Sequence, residues 1–208
     1  MAITQQEADD IEQKSLDALP VGEKGDTKVA KKAWNHLVQV MTRENNMIDN
    51  LGVESIDWQI GNWANDTTMA LHSEGLYEDE IAVNEQILKI KWRRSNALFH
   101  ENAKGDIADA YADMGNIEKC FQLYDEYLKE DPLWEWAWIG YYRQLHDQKA
   151  IRFESTLDEL YQKLIDGVEF RDKEDLCMEL AEEYEMLGNT ERSNFFEKLI
   201  EKEHQNRK

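Results

Sequence analysis

The side chains best suited to chemistry by type and spacing lie near the C-terminus. Glu201-x-x-His204 has the spacing with which helical bundles bind di-iron centres, since residues three apart share a helical face. Such a centre needs a second motif of the same kind, which the sequence lacks, so no metal or other cofactor is expected. Glu179, Glu182, Glu183 and Glu185 form an acidic run that reads as a solvated helix face in preference to a cation site. There is no phosphate-binding loop, no GxSxG, no HExxH and no dinucleotide fingerprint following a strand. No catalytic residue is assigned, and the chain is expected not to be an enzyme.

The chemistry that remains is recognition. The stretch 133–138, Leu-Trp-Glu-Trp-Ala-Trp, is rich in anchoring side chains. Trp134 and Trp138 are four apart and share a helical face; Trp138 continues through Tyr141, Tyr142 and Leu145 as a core stripe. Trp136 points elsewhere, on a stripe with Ile139 and Arg143, where it either anchors a partner peptide or packs on a neighbouring helix. Lys89, Lys91, Arg93 and Arg94 follow a helix and answer its C-terminal dipole, or dock an acidic segment.

The elements that must position these residues are helices. Only two prolines and abundant helix formers favour helix over sheet in the 208 residues. Residues 101–132 hold two amphipathic patterns hinged at Gly115-Asn116. Ile107, Ala108, Tyr111 and Met114 make one apolar stripe, and Cys120, Phe121, Tyr124, Tyr127 and Leu128 the other. A pair this short cannot bury both apolar faces alone, which implies stacking on further pairs. Gly75 and Gly188-Asn189 mark similar joints. Gly75 and Gly115 are 40 residues apart, and Gly115 and Gly188 are 73 apart, close to two repeats. The expected organisation is an acidic arm over 1–27, an N-terminal helix over 28–50 starting after a Thr27 cap, and repeats at about 56–92, 96–132, 133–167 and 172–203. Tyr111, Tyr124, Trp138, Leu180 and Tyr184 are expected in the core, and Cys120 and Cys177 are expected as buried reduced thiols.

The pattern Ile107-Ala108-x-x-Tyr111-x-x-x-Gly115-Asn116, followed by Cys120-x-x-x-Tyr124 and Pro132, resembles the tetratricopeptide repeat. Residues 75–82 and 188–192 look like the same joint. The sequence departs from the family at Glu80, where a small residue is usual, and at Lys104, where Trp or Leu is usual. The resemblance implies an all-α, right-handed superhelical stack of antiparallel helix pairs. It also implies a concave groove lined by one stripe of each first helix. On the positions of this chain those stripes hold Asn62 and Asn65, Asn102 and Asp109, Trp136, Ile139 and Arg143, and Glu182.

A formal net charge of -20 excludes the electrostatics of nucleic-acid binding and disfavours anionic membranes. No apolar run is long enough to span a bilayer, and the first residues lack a signal-peptide layout, so a cytoplasmic protein is expected. The expectation for function is a non-enzymatic scaffold that binds a basic or mixed-charge protein or peptide segment. The alternatives are a peptide-sensing regulatory module and a helical enzyme.

Overall fold

A computed structural model of the chain describes residues 4, 6, 7, 9, 10, 13, 27–43, 56–92 and 98–206. The turn at 20–26, the helix end expected at 50–52, and Arg93 and Arg94 of the basic patch lie outside the described residues. Among those described the structure is helical, with no β-strand. The helices are α1 Thr27–Arg43, α2 Ile56–Ser73, α3 Tyr77–Ile87, α4 Leu98–Asp113, α5 Ile117–Glu130, α6 Glu135–Asp147, α7 Phe153–Ile165, α8 Lys173–Met186 and α9 Thr190–Asn206. No described helix is long and apolar enough to cross a membrane. The chain divides into two compact units, Met1–Cys120 and Phe121–Lys208.

One local device ends most of the first helices. After α2, the Leu76 amide donates to the Leu71 carbonyl and that of Gly75 to His72, with Gly75 at φ 70°. This pattern of nested backbone bonds closes a helix through one left-handed residue. It recurs after α4, where Asn116 donates to Tyr111 and Gly115 to Ala112, and after α8, where Asn189 donates to Tyr184 and Gly188 to Glu185. Each Gly-Asn pair does two jobs. The glycine takes the left-handed turn, with φ 81° at Gly115 and 73° at Gly188. The asparagine then caps the next helix: Asn116 Oδ1 accepts from the Lys119 amide at 3.3 Å, and Asn189 Oδ1 from the Arg192 amide at 3.2 Å.

A further joint carries no glycine. After α6 the Ala150 amide donates to Leu145 and that of Lys149 to His146, and Lys149 itself takes φ 51°. The 73-residue gap between Gly115 and Gly188 therefore holds a hidden joint, 34 residues beyond Gly115.

In the first unit, contacts between α2 and α4 advance in the same direction along both helices. Gly61 lies against the Phe99 ring, Thr68 near Asp106 and His72 near Asp113. These two helices therefore run parallel, with α3 packed on both. Trp34 and Trp63 meet edge to face at 5.8 Å, and Trp34 Nε1 donates to Gln86 Oε1 at 2.7 Å. Thr27 is the first residue of α1, and its hydroxyl reaches the Glu74 carboxylate at 2.9 Å.

The second unit repeats the scheme. Arg143 pairs with Glu179 and His146 lies by Glu183, so α6 and α8 are also parallel neighbours. Tyr124, Trp138, Leu180 and Tyr184 are buried as expected. Tyr141 donates to Asp125 at 2.8 Å, and Tyr184 stacks on Phe196 at 5.8 Å. Two expected core residues of the first unit differ: Tyr111 is half-buried, and Met114 is exposed because it stands on the turn that precedes Gly115.

Candidate functional site

The stripe residues of the first unit are accessible to different degrees. Asn62 and Asn102 are exposed, whereas Asn65 and Asp109 are half-buried, and the Asn65 carbonyl accepts from the Thr68 hydroxyl at 2.9 Å. In the second unit Trp136 is 45% exposed at the start of α6, and Glu182 is exposed on α8. Arg143 is exposed yet ion-paired to Glu179. Ile139 is fully buried and belongs to the core, so the open part of its stripe consists of Trp136 and Arg143. Met178 adds apolar area on α8 at 44% exposure.

The acidic run on α8 is divided in its roles. Glu179 is paired with Arg143, and Glu183 is buried at 4% exposure with its Oε1 3.2 Å from His146 Nδ1. Burial raises the Glu183 pKa, and His146 partly offsets that rise. Only Glu182 and Glu185 keep the solvated position expected of the whole run. His204 does not work with Glu201: its Nε2 lies 2.6 Å from Glu174 of α8, tying the end of α9 to the start of α8.

The most unusual polar arrangement lies where α2, α3 and α4 meet. His72 stands between two carboxylates, with Nδ1 3.1 Å from Glu80 Oε2 and Nε2 3.5 Å from Asp113 Oδ2. The Thr68 hydroxyl is 3.5 Å from Asp106 Oδ2. Glu80 is only 2% exposed. Asn84, one turn further along α3, is 1% exposed.

Burying carboxylates together disfavours their charged forms. Glu80 is pushed up to about 7, first by burial and then by Asp106 and Asp113, with His72 pulling the other way. Asp106 is pushed up to about 6 by burial and by Asp109, held back by Asn84, Thr68 and His72. The Asn84 amide lies beside Asp106, and its hydrogen bond favours the ionised carboxylate. Burial, with Asp109 and Asp113 nearby, raises the Cys120 thiol to about 12, which leaves it an un-ionised core group. Among the described residues no group of three or more His, Cys, Asp or Glu side chains is arranged to hold a metal ion.

Asp109, expected on the groove stripe, acts on this cluster through its charge, whereas His72, Glu80, Asn84 and Asp106 were not among the expected site residues. One signal was present: Glu80 stands where the resembled repeat has a small residue. The structure shows why that departure matters, because the position is buried. A scan of protein-family models finds none that matches the chain, and a search of curated proteins finds no match either.

Proposed function

We propose that this chain is a non-enzymatic, cytoplasmic scaffold of tetratricopeptide-like helix pairs that binds a basic or mixed-charge peptide segment. The parallel first helices within each unit and the recurring left-handed joints support the repeat reading. The observation that carries the binding reading is Trp136, which stays 45% exposed in a chain that buries Trp34, Trp63, Trp134 and Trp138. Tryptophan and arginine, here two turns apart on one face of α6, are among the side chains enriched at the energetic centres of protein interfaces. Arg143 and Glu182 supply polar contacts in the same unit as Trp136; Asn62, Asn65, Asn102 and Asp109 stand on the corresponding stripes of the first unit, and the carboxylates of each favour a cationic segment.

The test is affinity capture from native lysate with the wild-type chain and Trp136→Ala in parallel, followed by titration of a peptide from the recovered partner. Trp136→Ala should raise the off-rate by tenfold or more, the usual cost of removing an aromatic anchor being about 2 kcal/mol. Binding that is indifferent both to this substitution and to salt would overturn the reading.

A further inference from the structure

We infer that Glu179 fixes the sign of the charge accepted on the α6–α8 face of the second unit. By holding Arg143, it leaves Asp175 and Glu182 to select a partner segment that presents a basic side chain three residues from an apolar anchor on Trp136. The assignment deepens the peptide-binding reading and rests on it for the use of Trp136 as that anchor.

Register is the first argument. Arg143 meets Glu179 and His146 meets Glu183, so the two helices lie level along their parallel run at these pairs. On α8, Asp175 stands one turn before Glu179 and Glu182 one turn after it, which puts the three carboxylates on one helical face. Met178 stands next to them and is 44% exposed. On α6, Trp136 precedes Arg143 by two turns, roughly 10 Å along the axis. An extended chain covers that distance in about three residues. A segment anchored on Trp136 therefore brings the side chain three positions away to the level of Arg143 and Glu179.

Charge is the second argument. Arg143 is the only arginine or lysine of α6, and Glu179 holds it. Arg143 also acts on Glu183, but His146 already lies against that carboxylate. The Tyr142 hydroxyl is raised, first by burial, and stays neutral, so Glu179 is the charge that cancels Arg143. Other basic groups at α8 are engaged as well: Lys173 lies 3.4 Å from Glu169, and His204 2.6 Å from Glu174. No ion pair among the described residues includes Asp175 or Glu182. The uncompensated field is felt at Asp175, whose carboxyl is raised by burial first and then by Asp172, Glu174 and Glu179.

Complementarity then names the occupant. With Arg143 cancelled, the open charges beside Trp136 and Met178 are carboxylates, which attract a cation and repel an acid. Released from Glu179, Arg143 would offer an exposed guanidinium at the same level, and guanidinium suits a carboxylate. One glutamate thus stands between a face for basic segments and a face that also tolerates acidic ones.

The experiment is an NMR titration of the full chain that follows the Trp136 indole N–H, assigned by its loss in Trp136→Phe. The probes are the acetylated, amidated peptide Arg-Gly-Gly-Leu-Gly-Gly-Arg and its counterparts with Gln or Glu in place of both arginines, so that a charge lies three residues from the leucine in either chain direction. Wild type should bind the Arg peptide about threefold more tightly than the Gln peptide, and the Glu peptide about threefold more weakly, the scale of exposed charge pairs. Glu179→Gln should tighten the Glu peptide by about threefold or more, because it releases Arg143. Glu182→Gln removes the same charge and leaves Arg143 held, so it should weaken the Arg peptide with a smaller gain for the Glu peptide. Adding Arg143→Gln to Glu179→Gln should take the gain away. An unchanged order of affinities in Glu179→Gln, a gain that survives the loss of Arg143, or an indole that no peptide moves overturns the inference. Partner capture that still depends on Trp136 would then leave the scaffold reading intact. Capture indifferent to Trp136 overturns that reading instead, while the three peptides still report on the face itself.

Discussion

At the level of single residues, Glu80 sets the pH behaviour of the first unit. Its carboxyl is raised from 4.5 to about 7, so between those values the folded chain holds a proton that the unfolded chain has released. A raised acid contributes stability that is fully present below the unfolded pKa and is lost as pH rises through the folded one. Asp106, raised from 3.8 to about 6, acts with the same sign over a lower window. Urea denaturation should therefore show stability falling from about pH 5 to about pH 8. Glu80→Gln keeps the neutral form at every pH, so it should exceed wild type at the upper end, match it near the lower end, and leave the shallower slope due to Asp106 and Glu183. A Glu80→Gln variant with an unchanged slope would show that Glu80 is not the titrating group. This behaviour was not legible in the sequence. A glutamate at position 80 reads as one more polar residue in an acidic first turn, and only the packing of α2, α3 and α4 turns it into a buried charge.

At the level of elements, what was legible followed from backbone sterics. Gly75, Gly115 and Gly188 could be read as joints because a left-handed residue at a helix end is usually glycine. Lys149 fills the same position against that preference, so the joint after α6 left no trace in the composition. Lys149→Gly should stabilise the chain by about 0.5–1 kcal/mol, the relief of a left-handed side chain less the added freedom of glycine when unfolded. Gly115→Ala should cost about 1 kcal/mol for the same steric reason, and the two urea midpoints should move in opposite directions. Helix-to-helix approach was not legible at all. Gly61 looks like a weak point in α2, but a Cβ there would lie 2.1 Å from the Phe99 ring, and Phe99 is itself fully buried. Gly61→Ala should destabilise by about 1–3 kcal/mol, as overpacked cores do, despite removing a helix-breaking residue. A neutral or stabilising outcome in thermal unfolding would show that α2 and α4 can separate at this point. Ile139 teaches the converse lesson: a stripe read at spacings of three and four cannot tell which of its members the neighbouring helix covers, and α8 lies alongside α6.

At the level of the whole chain, a net charge of -20 makes folding and the proposed recognition respond to salt with opposite signs. Like charges repel within the compact state, so screening over about 8 Å at physiological ionic strength should raise the unfolding midpoint as salt is added. The same screening weakens attraction between carboxylates and a cationic segment, so affinity for the partner peptide should fall over the same range. The opposition serves as an internal control, because a loss of affinity accompanied by a gain in stability cannot come from unfolding. Kinetics then separate the contributors. Asp109→Asn should lower the association rate and flatten its salt dependence, since long-range attraction acts before contact. Trp136→Ala should raise the dissociation rate and leave the salt slope of association unchanged, since apolar burial does not depend on screening. If Asp109→Asn instead changes only dissociation, Asp109 is a contact residue, not a steering one. If neither variant alters either rate, the partner docks away from both stripes, and Lys89 and Lys91, both exposed beyond α3, are the next residues to substitute.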